Sequence, residues 1–202
     1  MSGKELFLKA WENNKGDLDV DNARVGGRAT KANPNKEDAN FWLETGPKWV
    51  DDYITWRKNN PNWKIWTTPQ GVPAIELELN PVIDGITIRM FIDRIFIVDD
   101  KHLVVTDLKT SKDEPASALQ LGFYRFGIEQ TFGVKVDWGN YFMARKAGVG
   151  QFIDLTTYTE DKIRYLITNF EKARQQGIFL PNTNACNYTC GFNEFCPYNI
   201  KK

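Results

Sequence analysis

The spacing of apolar and polar residues has the period of helices in the first third of the chain and the period of strands in the middle. Helical spacing is found in three stretches, Lys4–Asn13, Asn35–Glu44 and Pro47–Lys58. Gly46 separates the last two, and Pro47 suits the first turn of a helix because its missing N–H would have no partner there. Asp17–Pro34 is polar and Gly-rich, as loops are. Residues 1–60 are therefore predicted to form a helical N-terminal region.

The middle of the chain alternates with a period of two, beginning where Glu76 and Glu78 alternate with apolar neighbours. Asp84-Gly85 is typical of a tight hairpin turn, and Asp99-Asp100-Lys101 predicts a second turn. Three strands are expected around these turns, Ile75–Leu79, Ile86–Val98 and Leu103–Leu108. The pattern predicts a three-stranded meander.

Two helices and two strands follow the meander. A helix is predicted over Glu114–Phe132, ended by Gly133, and strands near Val136–Ala144 and Gln151–Thr157. A last helix begins at Thr159, ends near Gly177, and carries an apolar face made of Ile163, Leu166, Ile167 and Phe170. We therefore expect one structural domain of mixed α/β class, with a core over residues 61–180 and a cysteine-bearing tail over residues 181–202.

Composition narrows the functional classes. The 26 basic and 26 acidic residues balance, which argues against a protein that coats DNA without specificity but not against a site with a local basic rim. The single histidine, His102, excludes multi-histidine zinc sites and is predicted to be exposed beside a turn. There is no apolar run of the ~18–20 residues that span a bilayer and no signal peptide. We expect a cytoplasmic protein with no membrane partner, in the host cytoplasm if a phage encodes it.

Two aspartates are expected to meet in the meander. Asp107 and Lys109 end the apolar strand Leu103–Leu108, where an unpaired charge would be costly. With a three-residue turn before that strand, paired residue numbers sum to 200, so Asp93 faces Asp107. Carboxylates that close together share a proton or hold a cation, and Lys109 projects from the same face.

Hard cations such as Mg²⁺ and Mn²⁺ prefer oxygen ligands and keep some of their water. Two carboxylates, a lysine and water suit the hydrolysis of a phosphodiester bond, because the cation activates water and the lysine offsets charge on the phosphate. The alternative is a cross-strand salt-bridge cluster on a wet face.

Four motifs occur in an order that resembles the PD-(D/E)XK nuclease superfamily, in particular its RecB-like branch with the CRISPR-associated exonucleases, and phage proteins of that branch look most similar. They are Glu76–Glu78, Phe-Ile-Asp93-Arg94, Val-Thr-Asp107-Leu-Lys109-Thr and Leu-Gln120-Leu-Gly-Phe-Tyr124. The resemblance runs from about Val25 to Pro197 and implies a mixed sheet in the order αβββαβ.

The resemblance also implies roles for these residues. Asp93 and Asp107 correspond to metal ligands and Lys109 to the catalytic lysine, while Gln120 and Tyr124 correspond to a helical motif beside the active site. The implied substrate is DNA, often cleaved from single-stranded ends. Glu76 or Glu78 is a candidate supporting carboxylate, and four basic residues are candidate phosphate contacts: Arg94, Arg125, Arg145 and Lys146.

The three cysteines, Cys186, Cys190 and Cys196, are clustered in the tail, which favours a metal or cluster over disulfides. Many RecB-like nucleases hold a 4Fe–4S cluster with one early and three late cysteines, the last followed by proline, as in Cys196-Pro197. Such clusters take four thiolates, so the fourth ligand would lie outside this chain. There are two alternatives. One is a zinc site formed by the three cysteines and His102, and the other is that the three thiols are free.

A second element of the family pattern is also missing. RecB-like nucleases carry a metal-binding histidine after an N-terminal Gly-rich turn, and Lys31 stands there in Gly26–Lys31. We expect the chain to be the C-terminal part of a longer protein. The predicted function is a metal-dependent deoxyribonuclease, most simply an exonuclease. Two alternatives remain open: a catalytically silent DNA-binding or scaffold domain with the same fold, and an unrelated α/β protein with a surface salt-bridge cluster.

Overall fold

A seven-stranded mixed β-sheet forms the centre of the protein in a computed structural model, which describes residues 2–16, 37, 39–179 and 195–197. The strands are β1 (Trp63–Ile65), β2 (Ile75–Leu79), β3 (Val82–Ile83), β4 (Ile86–Thr87), β5 (Met90–Val98), β6 (His102–Lys109), β7 (Trp138–Met143), β8 (Gly148–Val149) and β9 (Ile153–Asp154). The helices are α1 (Gly3–Lys15), α2 (Ala39–Asn59), α3 (Leu119–Phe132) and α4 (Glu160–Gln175). The predicted fold class, a mixed sheet flanked by helices, is confirmed.

The sheet runs in the order β1-β5-β6-β7-β8, with β2 also paired to β5 and β9 to β7, while β3 and β4 form a separate hairpin. β5 and β6 are antiparallel, and β6 and β7 are parallel. A parallel pair needs a crossover connection, and α3 supplies it. Helix α3 therefore crosses one face of the sheet, and it begins close to the end of β6.

The predicted register between β5 and β6 is confirmed from Val98↔His102 to Arg94↔Thr106. Both Asp99 and Asp100 in the turn have positive φ, 53° and 57°, a conformation that aspartate tolerates better than most residues. His102 is exposed, as expected.

The hairpin prediction at Asp84-Gly85 is also confirmed. Their φ angles, 49° and 79°, are the two positive values that a type I′ turn requires. The strand expected to run without interruption over Ile86–Val98 is wrong, because β4 ends at Thr87 and β5 begins at Met90. The backbone N–H of Ile88 donates to the carbonyl of Pro81, which extends the β3–β4 hairpin and does not belong to the ladder of β5.

The two helices predicted on either side of Gly46 are one helix, α2, with Pro47 inside it. The proline lacks a backbone N–H and costs the helix one internal hydrogen bond. Tertiary packing outweighs that cost: Gly46 is buried, and a Cβ there would overlap the ring of Phe7 in α1. The glycine thus marks a close approach of two helices and not a turn.

Helix α3 begins at Leu119, five residues later than predicted, and ends at Gly133 as expected, with that glycine at φ 66°. The hydroxyl of Ser117 accepts the N–H of Leu119, and the hydroxyl of Tyr141 donates to the carbonyl of Ser117 at 3.2 Å. These contacts end the preceding loop and fix the start of the helix. The spacing of apolar residues gives no sign of these hydrogen bonds, so it placed the start of the helix too early.

The later elements agree with the predictions in kind but are shorter. The strand expected over Gln151–Thr157 is reduced to β9, and α4 begins after Thr159, whose side chain accepts the N–H of Lys162. Within α4, Ile163 and Ile167 are buried, whereas Leu166 and Phe170 are exposed. Among the described residues, no helix has the length and apolar character that crossing a bilayer requires.

The two faces of the sheet bury different helices. On one face, Ile92, Ile95 and Val105 pack with Leu121 and Tyr124 of α3. On the other face, a cluster of Trp63, Phe96, Val98 and Val104 packs against Trp56 of α2. The end of β6 therefore lies between α2 and α3, with each of its side chains facing one helix or the other.

Gly46 gives a test of this packing. Gly46→Ala should lower the free energy of unfolding by about 1–2 kcal/mol, because the overlap with Phe7 outweighs the ~1 kcal/mol that alanine gains in a helix. In a Phe7→Ala background the overlap is gone, so the same substitution should raise stability. Urea denaturation of the four proteins measures both effects. The same sign in both backgrounds would contradict the close approach.

Candidate active site

Asp93 lies where the regular pairing of β5 and β6 ends. Ile92 and Ile95 both join the core on the α3 face, so the side-chain alternation of β5 shifts by one residue between them. The carboxylate of Asp93 takes the place of the next ladder partner: its Oδ2 accepts the backbone N–H of Leu108 at 2.7 Å. Asp93 is thus tied to the strand segment between Asp107 and Lys109.

Asp107 is buried, with 2% of its surface exposed, and Lys109 Nζ lies 2.6 Å from its Oδ2. The ammonium forms an ion pair with this buried carboxylate, and the Tyr124 hydroxyl also interacts with it. Burial raises the pKa of Asp107, and the charge of Asp93 raises it further, while Lys109 and the Tyr124 hydroxyl oppose the rise. The charges of the two aspartates are therefore close enough to interact, although the described pairing of β5 and β6 ends at Arg94 and Thr106 and does not include them.

Lys109, Gln120 and Tyr124 form a relay beside Asp107. Lys109 Nζ donates to Gln120 Oε1 at 3.0 Å, and Gln120 Nε2 donates to the Tyr124 hydroxyl oxygen at 2.8 Å. Because an ammonium has only donors, the amide oxygen of Gln120 must face Lys109. The hydroxyl proton of Tyr124 is then free to point toward Asp107. Burial raises the pKa of Tyr124 to about 12, so its hydroxyl stays protonated at neutral pH and can donate a hydrogen bond.

Tyr141 is a site residue that the sequence reasoning missed. The parallel ladder pairs it with Asp107, and its ring lies 6.0 Å from Lys109 Nζ, at the limit of a cation–π contact. Its hydroxyl holds the carbonyl of Ser117, two residues before α3 begins. One side chain thus links the Asp107 strand to the helix that carries Gln120. Only the pairing of β6 with β7 could have revealed it.

The two glutamates of β2 have their own partners. Glu76, with a positive φ of 48°, forms an exposed ion pair with Arg94 at 3.3 Å. Glu78 accepts two hydrogen bonds from Arg89, which hold the pKa of Glu78 below its usual range. Neither carboxylate is described in contact with Asp93 or Asp107.

The four candidate phosphate contacts differ in availability. Arg125 pairs with Glu129 and Asp137 and donates to two backbone carbonyls, and Arg145 pairs with Glu37 and donates to Thr110. Arg94 donates to the carbonyl of Asp93 and contacts Glu76. Lys146 is exposed. Each of the three arginines therefore already has a carboxylate and a backbone carbonyl as partners.

A divalent cation fits the donors at Asp93 and Asp107. In the part of the chain that the structure describes, no group of three or more His, Cys, Asp or Glu side chains converges as a ligand set. Mg²⁺, however, is commonly held by one or two carboxylates and keeps several waters. Asp93 and Asp107 are such carboxylates, and Lys109 offsets only one of their two negative charges.

The predicted cluster ligands are described only in part. Cys186 and Cys190 lie outside the described residues, and so does the Gly-rich turn Gly26–Lys31. Cys196 is partly exposed and has a free thiol.

The buried charge predicts a pH-dependent stability in EDTA. Burial raises the pKa of Asp107 above its value in the unfolded chain. At low pH the carboxyl is neutral in both states and costs the folded protein nothing. As pH rises through the folded pKa, the free energy of unfolding falls. Asp107→Asn should therefore raise Tm at pH 7, and the gain should shrink as the pH approaches ~4.

Glu78→Gln is the matched control, because its pKa is shifted in the opposite direction. It should leave Tm unchanged or lower it at pH 7. A lower Tm for Asp107→Asn at pH 7 would mean that the ion pair with Lys109 outweighs the cost of burial.

Comparison with known proteins places this geometry in a family. Residues 8–197 match the PD-(D/E)XK nuclease superfamily. The Gene 69 protein of Mycobacterium phage D29 is 32% identical over 193 residues, an alignment that covers 85% of this chain and 69% of that protein. The Gene 69 protein of Mycobacterium phage L5 is 34% identical over 178 residues, covering 75% and 60%.

A crystal structure of a candidate exonuclease from Eubacterium rectale is similar with a TM-score of 0.47 and 13% identity, covering 95% of this chain and 70% of that one.

The family match spans nearly the whole chain, including every residue of the Asp93–Asp107–Lys109 arrangement. The chain belongs to the PD-(D/E)XK nuclease superfamily.

Proposed function

We propose that this protein hydrolyses phosphodiester bonds in DNA with Mg²⁺ or Mn²⁺ held by Asp93 and Asp107, as an exonuclease of RecB-like type. The observation that carries the proposal is the position of Lys109, whose ammonium lies 2.6 Å from Oδ2 of the buried Asp107, while the charge of Asp93 acts on the same carboxylate. Two carboxylates and one lysine thus meet at the end of β6. The lysine offsets only one of the two negative charges, which leaves the site able to hold a cation.

The two carboxylates supply the charge that a cation needs. Asp107 is buried, and the negative charge of Asp93 raises the pKa of Asp107 further, so added positive charge favours its ionised form. When bound, the cation would polarise a phosphoryl oxygen and lower the pKa of a coordinated water. The backbone N–H of Leu108 orients Asp93 for this role by holding its Oδ2.

Lys109 acts on the reacting atoms and not on the cation. The Lys109 side chain is one quarter exposed, so its ammonium can reach a phosphate or water at the open side of the site while it stays paired with Asp107. A positive donor in that place stabilises charge that develops on the phosphate oxygens in the transition state. Gln120 Oε1 limits the directions that the ammonium can take.

Gln120 and Tyr124 position Lys109. The Tyr124 hydroxyl accepts from the Gln120 amide, which keeps the amide oxygen turned toward the ammonium. The two residues are one helical turn apart on α3, and the start of α3 is held by Tyr141. The catalytic lysine is thereby oriented from the helix side as well as from its own strand.

The cluster of thiolates stays a prediction for the tail. We propose that Cys186, Cys190 and Cys196 bind iron and sulfide, with the fourth ligand from outside this chain, so that the cluster in this chain alone is labile in air. Iron and sulfide assays on protein purified without oxygen would test this. Equal iron content in a triple Cys→Ser variant would contradict it.

Lys109→Met should reduce DNA cleavage by about 10²- to 10⁴-fold while leaving Mn²⁺ affinity within a few-fold of the parent, because the lysine contributes to the transition state and not to the ligands. Calorimetric titration with Mn²⁺ and digestion of labelled single- and double-stranded DNA measure the two effects. Asp107→Asn should abolish both binding and cleavage. Lys101→Ala, at an exposed position in the turn at the opposite end of β6, should change neither greatly.

Loss of Mn²⁺ binding in Lys109→Met would make the lysine structural. DNA binding without any cleavage by the parent protein, at several Mn²⁺ concentrations, would instead favour the silent scaffold.

Tyr124→Phe should lower kcat about tenfold without a matching change in KM or Mn²⁺ affinity. The substitution keeps the buried ring and removes the hydroxyl that orients Gln120, a loss comparable to one hydrogen bond to a charged group. Steady-state kinetics with a single-stranded oligonucleotide would measure it. Tyr165→Phe, at an exposed tyrosine of α4, is the control and should have parental kinetics. Unchanged kcat in Tyr124→Phe would remove the tyrosine from the relay.

A further inference from the structure

A cavity of about 260 Å³ lies between helices α1 and α2 and the end of strand β6. Its wall on the strand side is formed by Leu108, Lys109 and Thr110, so it begins at the residue that follows Asp107. Its wall on the helix side is aromatic and contains Phe7, Trp42, Trp49 and Tyr53. The cavity therefore adjoins the candidate active site through Lys109, which belongs to both.

The aromatic rings of this wall are partly exposed and line the cavity. Trp63 and Trp66 are buried, whereas Trp42, Trp49 and Tyr53 are each only partly buried, with surface left for a ligand. A core tryptophan would be covered by neighbours, because apolar burial stabilises the fold. Here a row of large rings faces an opening beside the catalytic lysine.

The wall is also held in place. Trp42 and Trp49 pack edge to face with ring centroids 5.2 Å apart. The guanidinium of Arg145 lies 5.0 Å from the Trp49 ring and donates to the carbonyl of Thr110 at 2.6 Å. Arg145 thus connects the aromatic wall to the strand wall, which keeps the two at a fixed separation.

Two cations accompany the apolar surface. Arg94 lines the cavity, with 16% of its side chain exposed, and Lys109 lies at its edge. A planar apolar group attached to an anion is the ligand that such a lining fits. Nucleic-acid bases stack on aromatic side chains, and arginine and lysine contact the phosphate.

We infer that this cavity binds one unpaired base, that of a nucleotide next to the phosphodiester bond to be cleaved. The inference rests on the proposed nuclease function and defines its substrate more closely. The cavity lies just below the ~300 Å³ at which pockets for drug-sized ligands begin, so it has room for one base and not for a base pair. The substrate is then a single strand or a duplex end that has frayed.

The test uses a series of single-stranded oligonucleotides, each with one abasic site at a different position. The parent protein should cleave the bonds next to the abasic site about tenfold more slowly than the same bonds in an intact strand, because one stacking contact is lost. Trp42→Ala should cleave both strands at the lower rate and so lose the discrimination. Trp42→Leu, which keeps apolar volume without a ring, should behave like Trp42→Ala and guards against misfolding.

Trp138→Ala is the matched control. Trp138 is a partly exposed tryptophan at the first residue of β7. It pairs with Val104, in the early part of β6, and lies away from Asp107 and Lys109. It should keep the parental discrimination. Discrimination that survives both Trp42 substitutions, or that is lost equally in Trp138→Ala, would overturn the inference.

Failure of the proposed function is distinguishable from failure of this inference. If the parent protein cleaves no strand, hydrolysis is refuted, and the cavity is tested by binding alone with 2-aminopurine in place of a base at each position in turn. Stacking should change the fluorescence at one position in the parent and in Trp138→Ala, but not in Trp42→Ala. No difference between these proteins would overturn the base-binding site.

Discussion

The placement of a carboxylate in the interior of the sheet is the constraint on which the rest of the site depends. Asp107 is 2% exposed, and burial raises its pKa, so the fold must compensate a charge that water would otherwise solvate. Lys109 supplies the nearest compensation, at 2.6 Å, while the charge of Asp93 acts against it. The fold therefore has to hold Lys109 close to Asp107.

Parallel pairing of β6 with β7 explains why so many polar groups meet at one point. A parallel pair requires a crossover, and the crossover here is α3, which returns Gln120 and Tyr124 to the end of the strand that precedes it. Tyr141 completes the arrangement, because it lies beside Asp107 in the ladder and fixes the loop before α3. The topology of one connection thus determines which side chains lie beside Lys109.

The sequence was informative where an interaction is local and less so where it is distant. The register that brings Asp93 near Asp107 follows from a three-residue turn, and the turn was visible in Asp99-Asp100-Lys101. The single helix α2 was not, because the packing of Phe7 against Gly46, more than thirty residues away in sequence, overrides a local break signal. Tyr141 was missed for the same reason, since only a non-local strand pairing gives it a role.

The same distinction separates the two walls around Lys109. The α3 wall is polar and carries motif residues at fixed spacing, so a sequence can reveal it. The α2 wall consists of aromatic rings whose orientation depends on α1, on the continuity of α2 through Pro47 and on Arg145. In a sequence pattern, aromatic residues at helical spacing predict a buried core. The structure is needed to see that these rings are partly exposed and line a cavity beside Lys109. A polar wall that orients the lysine and an aromatic wall that orients a base would together fix the phosphate between them, because the nucleotide is then held at both ends.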